Sequence, residues 1–91
     1  MAASKAVSVG TSATELIGAN DKRIKLTIQN LDSGEIYYGE DNTVTAANGI
    51  KLAAAASVEE EFDGHKWYQG AVWAIVSSGT ADVRVWERTF E

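Results

Sequence analysis

An all-β fold, an antiparallel sandwich or small barrel built from hairpins, is predicted by three features of this sequence. Strand candidates recur at intervals of roughly 8–12 residues between turn formers. Within them apolar and polar side chains alternate with a period of two, as in Ile24, Leu26 and Ile28 against Lys25, Thr27 and Gln29. No window of helical periodicity competes with this pattern.

Residues 1–12 are small and polar, with Val7 and Val9 alternating before Gly10-Thr11-Ser12. They read as an N-terminal arm or edge strand, followed by a single β-sandwich domain over 13–91. A short apolar stretch, Ala13 to Ile17, ends at Gly18-Ala19-Asn20-Asp21. The central unit, Arg23 to Gly39, then predicts a hairpin. One arm alternates, Asp32-Ser33-Gly34 supplies turn chemistry, and Ile36-Tyr37-Tyr38 returns. Beyond it, Thr43-Val44-Thr45 is β-branched, and Asn48-Gly49 before Ile50 and Leu52 is a hairpin signal. Four alanines, Ala53 to Ala56, are too few to nucleate a helix, so they predict an extended loop or one turn. Ser57 to Phe62 is a weakly amphipathic strand with Glu60 on the wrong side, a conflict that a bulge or an exposed edge resolves. Ala71 to Val76 is an unbroken apolar run, which predicts a strand buried on both faces with Trp73 in the core. Ser78-Gly79-Thr80 then joins it in a second hairpin to Asp82–Glu87, where Val83 and Val85 point inward and Trp86 outward. Leu26 and Ile75 are the expected core aliphatics.

Ninety-one residues make a small core, and domains of this size often draw on disulfides, metals or oligomerisation. With no Cys and one His, the first two are largely closed, and self-assembly, or docking on a larger surface, becomes the favoured stabiliser. Eight basic and thirteen acidic residues give a formal charge of −5, which opposes binding to nucleic acid or an anionic membrane. The start, MAASKAVSVG, lacks the apolar core of a signal peptide, and no apolar run approaches the ~20 residues of a membrane helix. Synthesis in a cytoplasm is expected.

The densest polar cluster is Glu59-Glu60-Glu61 with Asp63 and His65. Successive strand residues alternate sides, so these carboxylates do not converge as metal ligands would, and a solvated acidic edge is the expectation. A lone His without an orienting partner argues against nucleophilic or general-base chemistry, and no glycine cluster cradles a phosphate before a helix. The expectation is a protein that is not an enzyme and has no cofactor or metal. The aromatics point instead to contact surfaces: Trp67-Tyr68 beside a turn and Trp86 outside the core are placed like interface anchors, with a sugar-stacking platform as the alternative. Val7, Val9, Trp67, Tyr68, Trp86 and Phe90 are the candidate interface residues.

The order of Arg23-Ile24-Lys25-Leu26-Thr27-Ile28-Gln29-Asn30, Gly34-Glu35-Ile36-Tyr37-Tyr38-Gly39, Val44-Thr45, Gly49-Ile50-Lys51-Leu52 and Trp73 through Val85 resembles the small β-rich virion modules of tailed bacteriophages. The resemblance spans Ala13 to Glu87 and departs at Ala53–Ala56, where such modules commonly carry Pro-Gly. It implies a virion structural protein made in the host cytoplasm, a capsid decoration or cement protein that stabilises the assembled head. Its expected partners are itself, as a homo-oligomer such as a trimer, and the major capsid or other virion proteins. A tail or fibre module that binds host-surface glycan or another virion protein is the alternative. The family implies no catalytic residue.

Overall fold

The computed structural model describes residues 2–61 and 70–89, and over these the chain is all-β. The eight strands are β1 (Ala2–Val9), β2 (Thr14–Ile17), β3 (Arg23–Asn30), β4 (Ile36–Gly39), β5 (Ile50–Leu52), β6 (Ser57–Glu61), β7 (Val72–Ile75) and β8 (Ala81–Thr89). They form two antiparallel four-stranded sheets, in the orders β1-β8-β3-β6 and β2-β7-β4-β5. The sheets pack as a sandwich rather than closing into a barrel. One core joins them, with Val9, Leu26, Ile28, Val83 and Val85 from the first sheet and Leu16, Ile36, Leu52, Val72 and Ala74 from the second.

Successive strands lie in opposite sheets at every link except β4 to β5. Two hairpins expected from the sequence are therefore arches. β3 and β4 do not pair; β3 lies between β8 and β6, while β4 lies between β7 and β5. The Asp32-Ser33-Gly34 turn lifts the chain from one sheet to the other. In the same way Ser78-Gly79-Thr80, with Gly79 at φ +69°, carries the chain from β7 across to β8. Turn formers reverse a chain equally well within a sheet or between sheets. The difference is made by which backbone groups find partners, and here both arms of each arch find theirs elsewhere.

Asn30 fixes the first arch. Its side chain is wholly buried, and its amide nitrogen faces the carbonyls of Gly34, Leu52 and Ala53 at 2.9, 3.2 and 3.1 Å. Its amide oxygen accepts the Asp32 N–H at 3.0 Å. One side chain thereby ties the end of β3, the arch and the end of β5, satisfying backbone groups that the crossing takes out of either ladder.

The period of two in β3 is broken at its start. A register shift between Arg23 and Lys25 against β8 turns Arg23 inward, so that Arg23 is 1% exposed while Ile24 is only half-buried. This corrects the expected inward set of Ile24, Leu26 and Ile28. The buried guanidinium is held by the Glu87 carboxylate at 2.7 Å and donates to the carbonyls of Gly70 at 2.9 Å and Gly18 at 2.8 Å. A charge so deep in a small sandwich needs each of these acceptors to offset its lost hydration.

The one in-sheet hairpin, β4 to β5, has a long loop. The Asn48-Gly49 signal does not make a two-residue turn, because Ile36–Tyr38 pair with Leu52–Ile50 and leave residues 40–49 outside the ladder. Nor is Thr43-Val44-Thr45 a strand. Asp41 accepts from the Thr43 hydroxyl and N–H, which holds its exposed carboxyl below the usual range. That small preference for the folded loop is present above the ordinary carboxylate pKa and lost as pH falls through the lowered value. Asn48 accepts from the Thr45 N–H at 2.7 Å and donates to the Thr43 carbonyl at 3.2 Å. The loop folds back so that buried Val44 covers Gly39 and Gly49. A Cβ on Gly49 would stand 2.8 Å from the Tyr37 Cβ and 2.9 Å from the Thr45 carbonyl oxygen, whereas one on Gly79 would meet nothing within 4 Å. Gly49→Ala is therefore expected to cost about 1–3 kcal/mol by overpacking. Gly79→Ala should cost only about 1–2 kcal/mol, through its positive φ. Paired thermal melts check the order.

β7 alternates rather than being buried on both sides: Val72, Ala74 and Val76 face the core, while Trp73 and Ile75 are half-buried on the outer side. This corrects the expectation that Trp73 and Ile75 are core residues. Leu26, at 2% exposed, is core as expected. Ala53–Ala56 forms a single turn, with the Ala56 N–H donating to the Ala53 carbonyl at 3.1 Å, and of the two resolutions open for Glu60, a bulge or an exposed edge, β6 takes the edge.

Candidate functional site

β8 runs through the middle of its sheet with Ala81, Val83, Val85 and Glu87 inward and Asp82, Arg84, Trp86 and Arg88 on the outer face. Its register places Trp86 between Ser4 on β1 and Thr27 on β3. Both neighbours are small, so the indole stands in a shallow groove of about 610 Å³ floored by these strands and by Gln29, Ser57 and Glu59.

Two cations hold the indole. The Lys25 ammonium lies 5.6 Å and the Arg88 guanidinium 5.4 Å from the ring centroid. These two residues are opposite each other across the β3–β8 ladder, a like-charge pairing that is ordinarily unfavourable. The shared electron-rich ring and the Glu59 carboxylate, 4.0 Å from Lys25, reduce the repulsion. Arg84 lies beside them, paired with Asp82 at 3.0 Å. An acidic protein thus gathers Lys25, Arg84 and Arg88 around one exposed aromatic edge. The arrangement suits stacking and donation to acceptors on a partner.

The candidate interface residues are spread over different settings. Trp86 is half-buried on this outer face, and Val7 is half-buried on β1 against the core. Val9 is fully taken up by the protein's own core and has no surface to offer. Trp67, Tyr68 and Phe90 lie outside the described residues, as do Asp63 and His65. Of the acidic run, Glu59, Glu60 and Glu61 stand opposite Thr27, Leu26 and Lys25 on the edge strand. Among the described residues no three His, Cys, Asp or Glu side chains are grouped as a metal site would require, and no helix is long and apolar enough to cross a membrane.

Reading the sequence found Trp86 by its outward phase but missed Lys25 and Arg88, because their approach to the ring depends on the β3–β8 register. It also missed the apolar pocket of about 250 Å³ between the sheets, lined by Leu26, Ile28, Val58 and Val72 with Tyr38 and Ile50. No family model, curated protein or solved structure matches this chain.

Proposed function

We propose that this chain is a structural protein of a tailed-bacteriophage virion, a decoration protein that binds the assembled capsid and acts as a homo-oligomer. The reading joins the resemblance carried by the Arg23–Asn30, Gly34–Gly39 and Trp73–Val85 segments to one observation, the cation-flanked Trp86 on an open sheet face. An aromatic anchor with arginines beside it is the composition of an interface hot spot. The Lys25 and Arg88 cations over the indole favour an acidic group on the partner, with Glu59 beside Lys25 and Asp82 beside Arg84 offsetting part of the local positive charge.

Trp86→Ala is expected to leave the sheet spectrum intact and to weaken particle binding or self-association by about 2 kcal/mol or more, the effect typical of a central anchor. Particle occupancy and sedimentation of the variant measure it. Occupancy and sedimentation equal to the parent's refute the anchor role. Imaging purified particles and locating the chain tests the head placement itself.

The groove also favours a second reading, a tail or fibre module that stacks Trp86 on host-surface glycan, since Ser4, Thr27 and Gln29 add hydrogen-bonding groups around the indole. On that reading Trp86→Ala lowers adsorption to host cells and leaves particle occupancy unchanged.

A further inference from the structure

Among the described residues the two sheets present four edge strands, and one of them lacks the usual protection against strand addition. β6 carries the Glu59-Glu60-Glu61 run, β2 is four residues long with a register shift between Glu15 and Ile17, and β5 is three residues long. Short, irregular or charged edges are the ordinary protection against strand addition. β1 has none of these features. It is eight residues long, pairs with β8 without a shift from Ala2 to Val9, and carries one charge, Lys5. There is no proline in the chain to blunt it.

The direction of its free backbone groups follows from the ladder. The Leu31 N–H donates to the Asp82 carbonyl at 2.9 Å, so the polar groups of Asp82 point toward β3. Backbone groups alternate along a strand. Those of Ala81, Val83 and Val85 therefore point toward β1, where they meet Val9, Val7 and Lys5. The intervening residues Ser4, Ala6 and Ser8 direct their N–H and C=O groups away from β8, into the open edge.

We infer that this β1 edge is a self-association surface, on which a second copy of the chain adds its own β1 antiparallel about a twofold axis at Ala6. The inference deepens the homo-oligomer part of the proposed function and stands independently of the capsid part. An isologous antiparallel contact is self-complementary: Ala6 meets Ala6 of the second copy, and Ser4 meets Ser8. Each such pair exchanges both N–H···O bonds. Lys5 then lies across from Val7. Sliding the register so that the axis passes through Lys5 would set two ammonium groups against each other, which is disfavoured. Pairing at Ala6 also brings the second strand against the exposed half of Val7. It yields one continuous eight-stranded sheet, with the two Trp86 grooves on the same face, since Ser4 and Ala6 border each groove.

The test places charge at the axis. Ala6 is exposed, so Ala6→Lys and Ala6→Glu leave the core untouched; Ala6 faces Arg84 across the β1–β8 ladder, where Lys adds a like charge and Glu an opposite one, so the sheet spectrum of each variant is recorded beside its mass. Sedimentation velocity over a concentration series should show the parent forming dimers. Each variant alone should associate at least tenfold more weakly, and an equimolar mixture of A6K and A6E should recover association because opposite charges then face each other. Ala6→Pro, which removes only an outward N–H, should also be monomeric while retaining the parent's sheet spectrum. A parent that stays monomeric at the highest concentration reached, a closed ring of three or more copies, variants that associate like the parent, or a mixture that recovers nothing would each overturn the proposal. Ala6 borders the Trp86 groove, so the capsid proposal is read from the particle occupancy of Trp86→Ala and not from these variants, and failure of one is visible without failure of the other.

Discussion

Arg23→Ala should leave the protein largely unfolded at 37 °C, with a loss of about 3–5 kcal/mol, the cost typical of removing one partner from a buried ion pair. The substitution strands the Glu87 carboxylate inside the sandwich and removes the donors that satisfy the Gly18 and Gly70 carbonyls. A small domain has little more stability than this to lose. Arg23→Lys should rescue little, because an ammonium on a flexible stem does not reproduce the planar fork that reaches three acceptors in different directions. Glu87→Ala should be comparably damaging, since it leaves the guanidinium buried without its counter-charge. The double variant Arg23→Ala/Glu87→Ala should cost clearly less than the sum of the singles, because each change removes the charge that the other would orphan. Urea unfolding of the four proteins measures this coupling. Strict additivity would mean that the two groups do not stabilise each other.

Asn30→Asp is expected to be worse than Asn30→Ala, although it is nearly isosteric. The amide nitrogen donates toward three carbonyls, and a carboxylate in its place presents an acceptor to three acceptors. Asn30→Ala should cost about 2–3 kcal/mol, for unpaired buried carbonyls and a small void. Asn30→Asp at neutral pH adds a buried charge to that. Its carboxyl should titrate above the ordinary range in the folded state, because only the protonated form can donate. A raised folded pKa means that the deficit shrinks as pH falls from 7 toward the unfolded carboxylate value. Measuring ΔG of unfolding for parent and variant at pH 7 and pH 4.5 tests the sign, and a deficit that grows on acidification would contradict the assigned role of the side chain.

These two side chains mark the limit of sequence reading here. In a one-dimensional pattern Arg23 is the polar residue before an alternating strand, and the natural inference puts it outside. It turns inward only because the β3–β8 register shifts, and that shift is a property of two strands far apart in the chain. Asn30 is likewise an ordinary turn former by composition, and nothing local reveals that its amide will meet the carbonyls of Leu52 and Ala53. The Trp86 site divides in the same way. The outward phase of Trp86 against Val83 and Val85 was legible, because it needs only the period of two. The cations over the ring were not, because they require knowing that Lys25 and Arg88 are cross-strand partners.

What the sequence by itself determined was the kind of structure: an all-β fold over the described residues, most of the strands, and a non-helical Ala53–Ala56 turn, with an exposed edge as one of two resolutions for Glu60. These follow from side-chain periodicity and backbone preference, which act over a few residues. Only the tertiary structure decided that the Asp32-Ser33-Gly34 and Ser78-Gly79-Thr80 turns are arches between sheets, that Trp73 and Ile75 face outward, and that the Asn48-Gly49 step serves close packing on Tyr37. A turn sets the reversal of the chain but not the partner of the strand that follows. That partner is chosen by the hydrogen-bond ladders and by the apolar faces that must meet across the sandwich, both made by residues distant in sequence.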